Sequence, residues 1–336
     1  MAYWLPVVWA AVIAFAVLAY VLLDGFDLGI GILFAVQPRE EDRDVMVNSV
    51  APVWDGNETW LVLGGGGLFA TFPLAYAVIM SAMYPTIIGM LLALVFRGVA
   101  FEFRFRAQTT RGRRAWDLGF QVGSTVAAFC QGMTLGALLQ GVRVVDRMYT
   151  GGWLDWLDAF TVLCGIALVL GYALQGACWL ILRTEGELQR SARSYARALG
   201  LAVLGLIVVI SLWTPMLNDI YWKHWFIFPQ ILLTAPVPIL VILVAWAFWR
   251  ALQRHDDLVP LLCAQAWFLL CYAGLGISIW PMIVPPSISI WDAAAPPSSQ
   301  LFLLVGAVIL LPMILGYTSF SYWTFRGKVR AREYYQ

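Results

Sequence analysis

The chain has few charged residues, and almost no segment has the composition of a water-soluble domain. Of its 336 residues, 12% are charged and 61% are hydrophobic, and the mean hydropathy is +0.78. A soluble domain carries about 25% charged residues, so an ordinary soluble protein is excluded. The net charge is +1 and no basic stripe is present, so the composition gives no indication of nucleic-acid binding.

Residues for metal and haem ligation are also scarce. The chain has two histidines, His224 and His255, and both fall in predicted loops. Haem is usually held by axial His, Met, Cys or Tyr, so we do not expect this chain to hold one by paired His or by His with Met. The five cysteines fall in apolar segments without a Cys-x-x-Cys pair, so neither a zinc site nor a thioredoxin-like motif is supported: Cys130, Cys164, Cys178, Cys263 and Cys271.

Long apolar segments dominate what is present. A helix needs about 20 apolar residues to cross a bilayer. Nine segments meet this length, at about 6–36, 50–72, 74–97, 116–140, 158–182, 196–216, 227–250, 258–283 and 300–325. Pro73 separates the second and third with almost no loop, which predicts a tight hairpin. We therefore predict an all-α polytopic membrane protein in which one integral membrane domain covers residues 1–336.

The distribution of positive charge supports nine spans. With that count, 18 of the 21 Lys and Arg residues fall on one side, and Arg143, Arg147 and Lys223 fall on the other. The positive-inside rule makes the rich side cytoplasmic, so the N-terminus is predicted outside and the C-terminus inside. Since Met1–Trp4 lacks a positive signal region, we expect the first span to be retained.

Glycines recur within the spans at helical spacing. Pairs four residues apart occur at Gly25/Gly29 and Gly132/Gly136, and a run occupies Gly64–Gly67. Such spacing lets helix backbones approach closely. We favour tight packing over a ligand site, because no Gly-Lys-Ser/Thr follows the run as in a phosphate loop.

Asp24 and Asp27 are acidic residues within the first apolar segment. Their spacing of three places them on one helical face. An ionisable group in a bilayer is costly unless it faces protein, a partner charge or water. Proton transfer and hydrogen bonding between helices are equally good explanations for this pair.

A second polar cluster opens the second span. Asp55 and Glu58 lie there beside Asn48, Ser49 and Asn57. Acids are favoured at a helix N-terminus, so part of the cluster can be explained by capping. For Asp55 we favour a buried proton relay over capping, and for Glu58 the two explanations stand equal.

Arg97 and Glu102 mark the cytoplasmic exit of the third span. Glu102 is a candidate proton-entry group. By residue type alone, an ion pair with the nearby arginines is the better explanation.

As a set, the motifs resemble those of one known family. They run in order over nearly the whole chain: 24-DGFDLGIG-31, 48-NSVAPVWDGN-57 with Trp60, 97-RGVAFE-102, 175-QGA-177, Arg183–Thr184 with Gly186–Glu187, and Trp291–Asp292 with 298-SSQ-300. Each is weak alone, but together they closely resemble subunit II of the cytochrome bd quinol oxidases. Two positions depart from the pattern, since relatives can have Asp at 102 and Pro at 98.

The resemblance implies a subunit that pairs with a haem-bearing subunit I in the bacterial cytoplasmic (inner) membrane. Low-spin haem b, high-spin haem b and haem d would belong to subunit I, and the complex would oxidise quinol and reduce dioxygen to water. Asp55 and Glu102 would lie on a proton route from the cytoplasm, with Asp24 and Asp27 near it. Trp60 would line an oxygen path. The family also accommodates a structural quinone and a small single-span subunit.

Two alternatives remain at this stage. A proton-coupled secondary transporter also needs acids within the membrane, although no internal repeat is evident in this sequence. A purely structural subunit would use the acids only for packing between helices. The ordered set of family motifs also counts against the transporter.

Overall fold

The computed structural model describes residues 3–329, which are mostly helical, with connecting loops and two short hairpins. The all-α prediction is therefore confirmed. The first half of the chain contains α1 (Trp4–Leu33), α2 (Glu40–Val50), α3 (Trp54–Thr71), α4 (Pro73–Arg106), α5 (Thr110–Gln140) and a hairpin of β1 (Val144–Val145) and β2 (Met148–Tyr149).

The second half continues the helical pattern and contains the second hairpin. Its elements are α6 (Ala159–Arg183), α7 (Gly186–Leu217), α8 (Asp219–Phe226), α9 (Ile231–Thr234), α10 (Pro236–Arg254), α11 (Val259–Ile279), β3 (Met282–Val284), β4 (Ile288–Ser289), α12 (Ile290–Ala293) and α13 (Pro297–Thr324).

Eight helices within residues 3–329 are long and apolar enough to cross a membrane. The predicted span at 50–72 is not among them, and its helix is α3. This helix has 18 residues, about 27 Å of rise. Asp55, Asn57 and Glu58 in its first turns reduce its apolar content. The count of nine and the orientation of the termini therefore stay predictions.

Several helix ends differ from those predicted. The fourth element, α4, continues nine residues beyond the predicted end at Arg97, to Arg106, and α7 begins at Gly186 rather than 196. The apolar run predicted to end at 283 stops as a helix at Ile279, because its last residues form strand β3. The hairpin predicted at Pro73 is present, since only Phe72 separates α3 from α4. Arg330 and Arg332 lie outside the described residues.

The contacts between helix ends fall into two groups, one at each end of the molecule. At one end, Arg43 pairs with Asp117, and both Arg193 and Lys328 pair with Asp257. At the opposite end, the Ala295 amide donates to the Thr71 carbonyl. The first group joins loops that the charge pattern assigns to the cytoplasm, so we call that end of the molecule the basic end.

The segment that follows strand β3 contains one of the family-like motifs. Ser289 caps α12, and both its hydroxyl and its backbone N–H donate to the Asp292 carboxylate. These hydrogen bonds lower the pKa of Asp292 below its usual range. Asp292 of this motif therefore has a structural role at the end opposite the basic end.

The helices that carry the acidic residues pack closely. A Cβ built at Gly29 of α1 would lie 1.9 Å from the Tyr172 carbonyl oxygen of α6, and one at Gly132 of α5 would lie 2.4 Å from the Cys164 carbonyl. Only glycine permits such backbone approach, which confirms the packing interpretation of those pairs. Gly65 and Gly66 differ, since no described atom lies within 4 Å of a Cβ built there.

Candidate functional site

The side chain of Arg97 is the centre of a buried acidic cluster. Its Nη2 lies 3.0 Å from Asp24 Oδ1 and 4.0 Å from Asp27 Oδ2, and its Nη1 lies 3.3 Å from Glu58 Oε2. The guanidinium also lies 5.4 Å from the centre of the Trp54 ring, within cation–π range. Helices α1, α3 and α4 thus bring four ionisable groups together, which we call the Arg97 cluster: Asp24, Asp27, Glu58 and Arg97.

The Arg97 cluster is almost closed to solvent. Asp24, Asp27 and Arg97 are fully buried, and the Glu58 side chain is 28% exposed. In such a medium one cation cannot balance three ionised carboxylates. Asp24 Oδ2 and Asp27 Oδ1 have no hydrogen-bond partner among the described residues. The arrangement therefore suits a site that can hold protons.

Asn57 and Tyr322 fix the position of Asp27. The Asn57 amide donates to Asp27 Oδ2 at 2.7 Å and to the Leu23 carbonyl at 3.3 Å. The Tyr322 hydroxyl of α13 then donates to Asn57 Oδ1 at 2.9 Å. These hydrogen bonds hold the Asp27 carboxylate of α1 in place against α3 and α13.

Asp55 and Glu102 lie outside the Arg97 cluster, since both are exposed in the isolated chain. Asp55 is three residues before Glu58, so it occupies the same side of α3 one turn nearer the basic end. Neither carboxylate forms an ion pair within residues 3–329, so the ion pair proposed for Glu102 is absent from that part of the chain.

The indole of Trp60 is buried between α1 and α3. The residue is 1% exposed and packs with Ala16 and Tyr20, while the Phe15 ring meets it edge to face at 5.6 Å. Its Nε1 has no partner among the described residues. The surroundings are apolar, as an oxygen path requires, but a core tryptophan would look similar.

A second ionic cluster anchors the helices at the basic end. The fully buried side chain of Arg104 pairs with Asp44 and Asp117. Arg113 also pairs with Asp44, and Arg43 also pairs with Asp117. These contacts join α2, α4 and α5. Because Arg104 is seven residues, about two helical turns, after Arg97, the two arginines share a face of α4.

The sequence indicated the acids of the site but not their cation. We expected Arg97 only to mark the end of a span, whereas α4 continues past it and buries it. A signal was available, because buried charges need a partner and Arg97 is the first basic residue after the acids at 24–58 that follows a long apolar run. Tyr322 had no such signal, since only the fold brings α13 to α3.

The structure also gives the positions of the two histidines, the residue type that most often holds a haem. His224 lies in α8, where its Nδ1 is 3.1 Å from the Ser278 carbonyl oxygen, and His255 is exposed after α10. Neither belongs to a helix long enough to span a membrane. That this chain holds no haem by paired His or by His with Met stays a prediction.

The family model for "Cytochrome bd terminal oxidase subunit II" matches residues 5–325. The chain belongs to this family. Its *Escherichia coli* K12 relative, "Cytochrome bd-I ubiquinol oxidase subunit 2", is 32% identical, with 97% of this chain and 95% of the relative covered. The *Bacillus subtilis* "Cytochrome bd ubiquinol oxidase subunit 2" is 27% identical, with 97% of each covered.

A solved structure agrees with the fold. A chain of the bd oxidase from *Geobacillus thermodenitrificans* superposes with a TM-score of 0.75 at 15% identity, and the match covers 94% of this chain and 97% of that one. The cytochrome bd subunit II described here is thus a multi-pass protein of the bacterial inner membrane and a subunit of a terminal oxidase, which is an oxidoreductase. The predicted family is confirmed, and the transporter alternative loses its basis.

Proposed function

We propose that this chain supplies cytoplasmic protons to a quinol oxidase whose haems are all held by subunit I. The observation that carries the proposal is the Arg97 cluster, a buried group of three carboxylates around one arginine. Intramembrane acids of this kind mark proton routes in many membrane proteins. The relatives are named as ubiquinol oxidase subunits, which favours a quinol as the electron donor here.

The exposed face of α3 is our candidate docking surface for subunit I. Asp55, Thr59, Val62, Gly66 and Phe69 are all exposed and recur at helical spacing along one stripe. Gly65 and Gly66 leave room there for another helix. An ionised group that faces lipid is costly. The exposed position of Asp55 on this stripe therefore favours a protein, and not lipid, as the partner of this face of α3.

The proposed route then has a direction. Asp55 lies at the edge of that stripe and Glu58 lies one turn further along α3, in contact with Arg97. A proton from the cytoplasm would reach Asp55, with Glu102 as an entry group. The Arg97 cluster would buffer the charge beside the route. Reduction of dioxygen consumes these protons, and release of quinol protons outside would create a membrane potential without a pump.

Replacing Asp55 with Asn tests the route. We expect oxidase turnover of the assembled complex to fall about tenfold or more, because relay by an acid–base group is lost. Asp55→Glu should keep most of the activity. Turnover with a soluble quinol and proton uptake by proteoliposomes are the measurements, and the haem spectrum confirms assembly. Asp146→Asn, in the outer β1–β2 hairpin, is the matched control.

The result that would overturn the route is an intact Asp55→Asn complex with full turnover. Asp55 would then serve only to contact subunit I. Loss of assembly in both Asp55→Asn and Asp55→Glu would also assign Asp55 a structural role.

Trp60 carries a separate proposal, an oxygen path through the apolar space between α1 and α3. Trp60→Phe is expected to widen that space and lower the apparent KM for dioxygen about twofold, with turnover at saturating dioxygen unchanged. The KM is measured polarographically. Trp267→Phe is the control, since Trp267 is also 1% exposed but packs in another cluster. If the KM for dioxygen were unchanged, or changed equally in both variants, Trp60 would have only a packing role and the oxygen path would be rejected.

The remaining associations follow from the resemblance to the family. We propose that a structural quinone can occupy the subunit and that a small single-span subunit can attach to the complex. Co-purification of the native oxidase, followed by mass spectrometry of its lipid-soluble and peptide components, tests both.

A further inference from the structure

A groove of about 720 Å³ lies between α7 and α10, away from the Arg97 cluster. Leu201 forms part of one wall, and Ile242 and Trp246 form part of the other. Arg250 and Arg254 line its end at the basic end of the molecule. We propose that this groove binds an anionic glycerophospholipid, with the acyl chains along the apolar walls and the phosphate at the two arginines.

The length of the groove matches one leaflet of a bilayer. Ile242 and Arg254 are twelve residues apart on α10, which corresponds to about 18 Å of helix rise. Half of a hydrocarbon core is about 15 Å thick. A lipid whose headgroup lies at Arg254 would therefore have its chains beside Ile242.

The charge of the groove selects the headgroup. Neither Arg250 nor Arg254 forms an ion pair with an acid in the part of the chain that the structure describes. The Arg250 guanidinium lies 5.0 Å from the centre of the Trp246 ring, which holds it over the groove. Arginine binds phosphate through paired N–H donors. A neutral quinone has no group that uses both arginines, and phosphatidylcholine brings a competing cation.

The walls of the groove are suited to lipid. Leu201, Ile242 and Trp246 are each more than 60% exposed in the chain. Helix α7 packs on α6 and α10, and α10 packs on α11, whereas α3 packs on α1 and α4. The groove is thus on different helices from the stripe that we assign to subunit I.

The test uses the purified oxidase complex with subunit I present. After mild delipidation it is given phosphatidylglycerol or phosphatidylcholine, and retained lipid is counted by native mass spectrometry. We expect about tenfold preference for phosphatidylglycerol in the parent complex and near parity in Arg250→Gln/Arg254→Gln. Arg111→Gln/Arg114→Gln removes the same charge from exposed sites elsewhere at the basic end and should keep the preference.

Two further measurements separate the groove from general surface charge and from a protein interface. Leu201→Trp/Ile242→Trp fills the groove but keeps both arginines, so retained phosphatidylglycerol should also fall. A photo-crosslinking residue at position 242 should label lipid. The proposal would be overturned if the parent complex retained the two lipids equally, or if the preference persisted without the two arginines. It would also be overturned if filling the groove had no effect, or if the residue at position 242 crosslinked to subunit I.

Discussion

Replacing Arg97 with Met should prevent the chain from assembling into a stable oxidase. Arg97 is the one basic group within 4.0 Å of Asp24, Asp27 and Glu58 in the described residues. Removing one partner of a buried ion pair costs about 3–5 kcal/mol, because the other charge is left uncompensated. Native proteins are stable by only about 5–15 kcal/mol, so this single change removes a large part of the total.

Complex yield and thermal unfolding of the purified oxidase measure the effect. Arg106→Met, on the same helix but exposed and unpaired with acids in the described region, should assemble normally. Arg97→Lys should be intermediate, since it keeps the charge but a compact ammonium lacks the two separated nitrogens with which the guanidinium meets Asp24 and Glu58.

A second variant separates lost charge from lost packing. Arg97→Met/Asp24→Asn removes the closest acid together with the cation, so part of the stability should return if uncompensated charge is the cause. An Arg97→Met complex with the yield and unfolding temperature of the parent would show that the cluster does not hold the helices together.

The sequence was sufficient to predict the apolar segments and the acids within them, because an acidic residue in an apolar segment is conspicuous in a chain with 12% charged residues. It was not sufficient for the partners of those acids. Arg97 stands between an apolar run and a basic segment, so its sequence neighbours suggest a helix end. Only the fold, in which the guanidinium of Arg97 reaches acids on α1 and α3, shows that it is buried.

Element boundaries failed for a related reason. Hydropathy records which residues avoid water and does not record where a helix must stop. The segment 280–284 is apolar, yet it leads into the β3–β4 hairpin, in which Met282 pairs with Ser289. The opposite occurs in α3, where a polar segment forms the first turns of a long helix. Its polar side chains have partners on α1, α4 and α13.

Changing Gly29 to Val should separate α1 from α6 and disable the oxidase. A Cβ at position 29 would lie 1.9 Å from the Tyr172 carbonyl oxygen and 2.8 Å from the Gly176 nitrogen. Both are backbone atoms, so a rotamer change cannot relieve the clash. Overpacking costs about 1–3 kcal/mol where side chains can adjust, and more is expected where a helix must move.

The consequence reaches the Arg97 cluster, because Asp27 is two residues from Gly29 on the same helix. If α1 moves away from α6, Asp27 loses its 2.7 Å contact with Asn57, and turnover should fall even in complexes that assemble. Gly276→Val is the matched control, since no described atom lies within 4 Å of a Cβ built there. Yield, unfolding temperature and turnover are compared for the two. Equal behaviour would mean that α1 and α6 can separate without cost, and the close approach at Gly29 would then not position the acids.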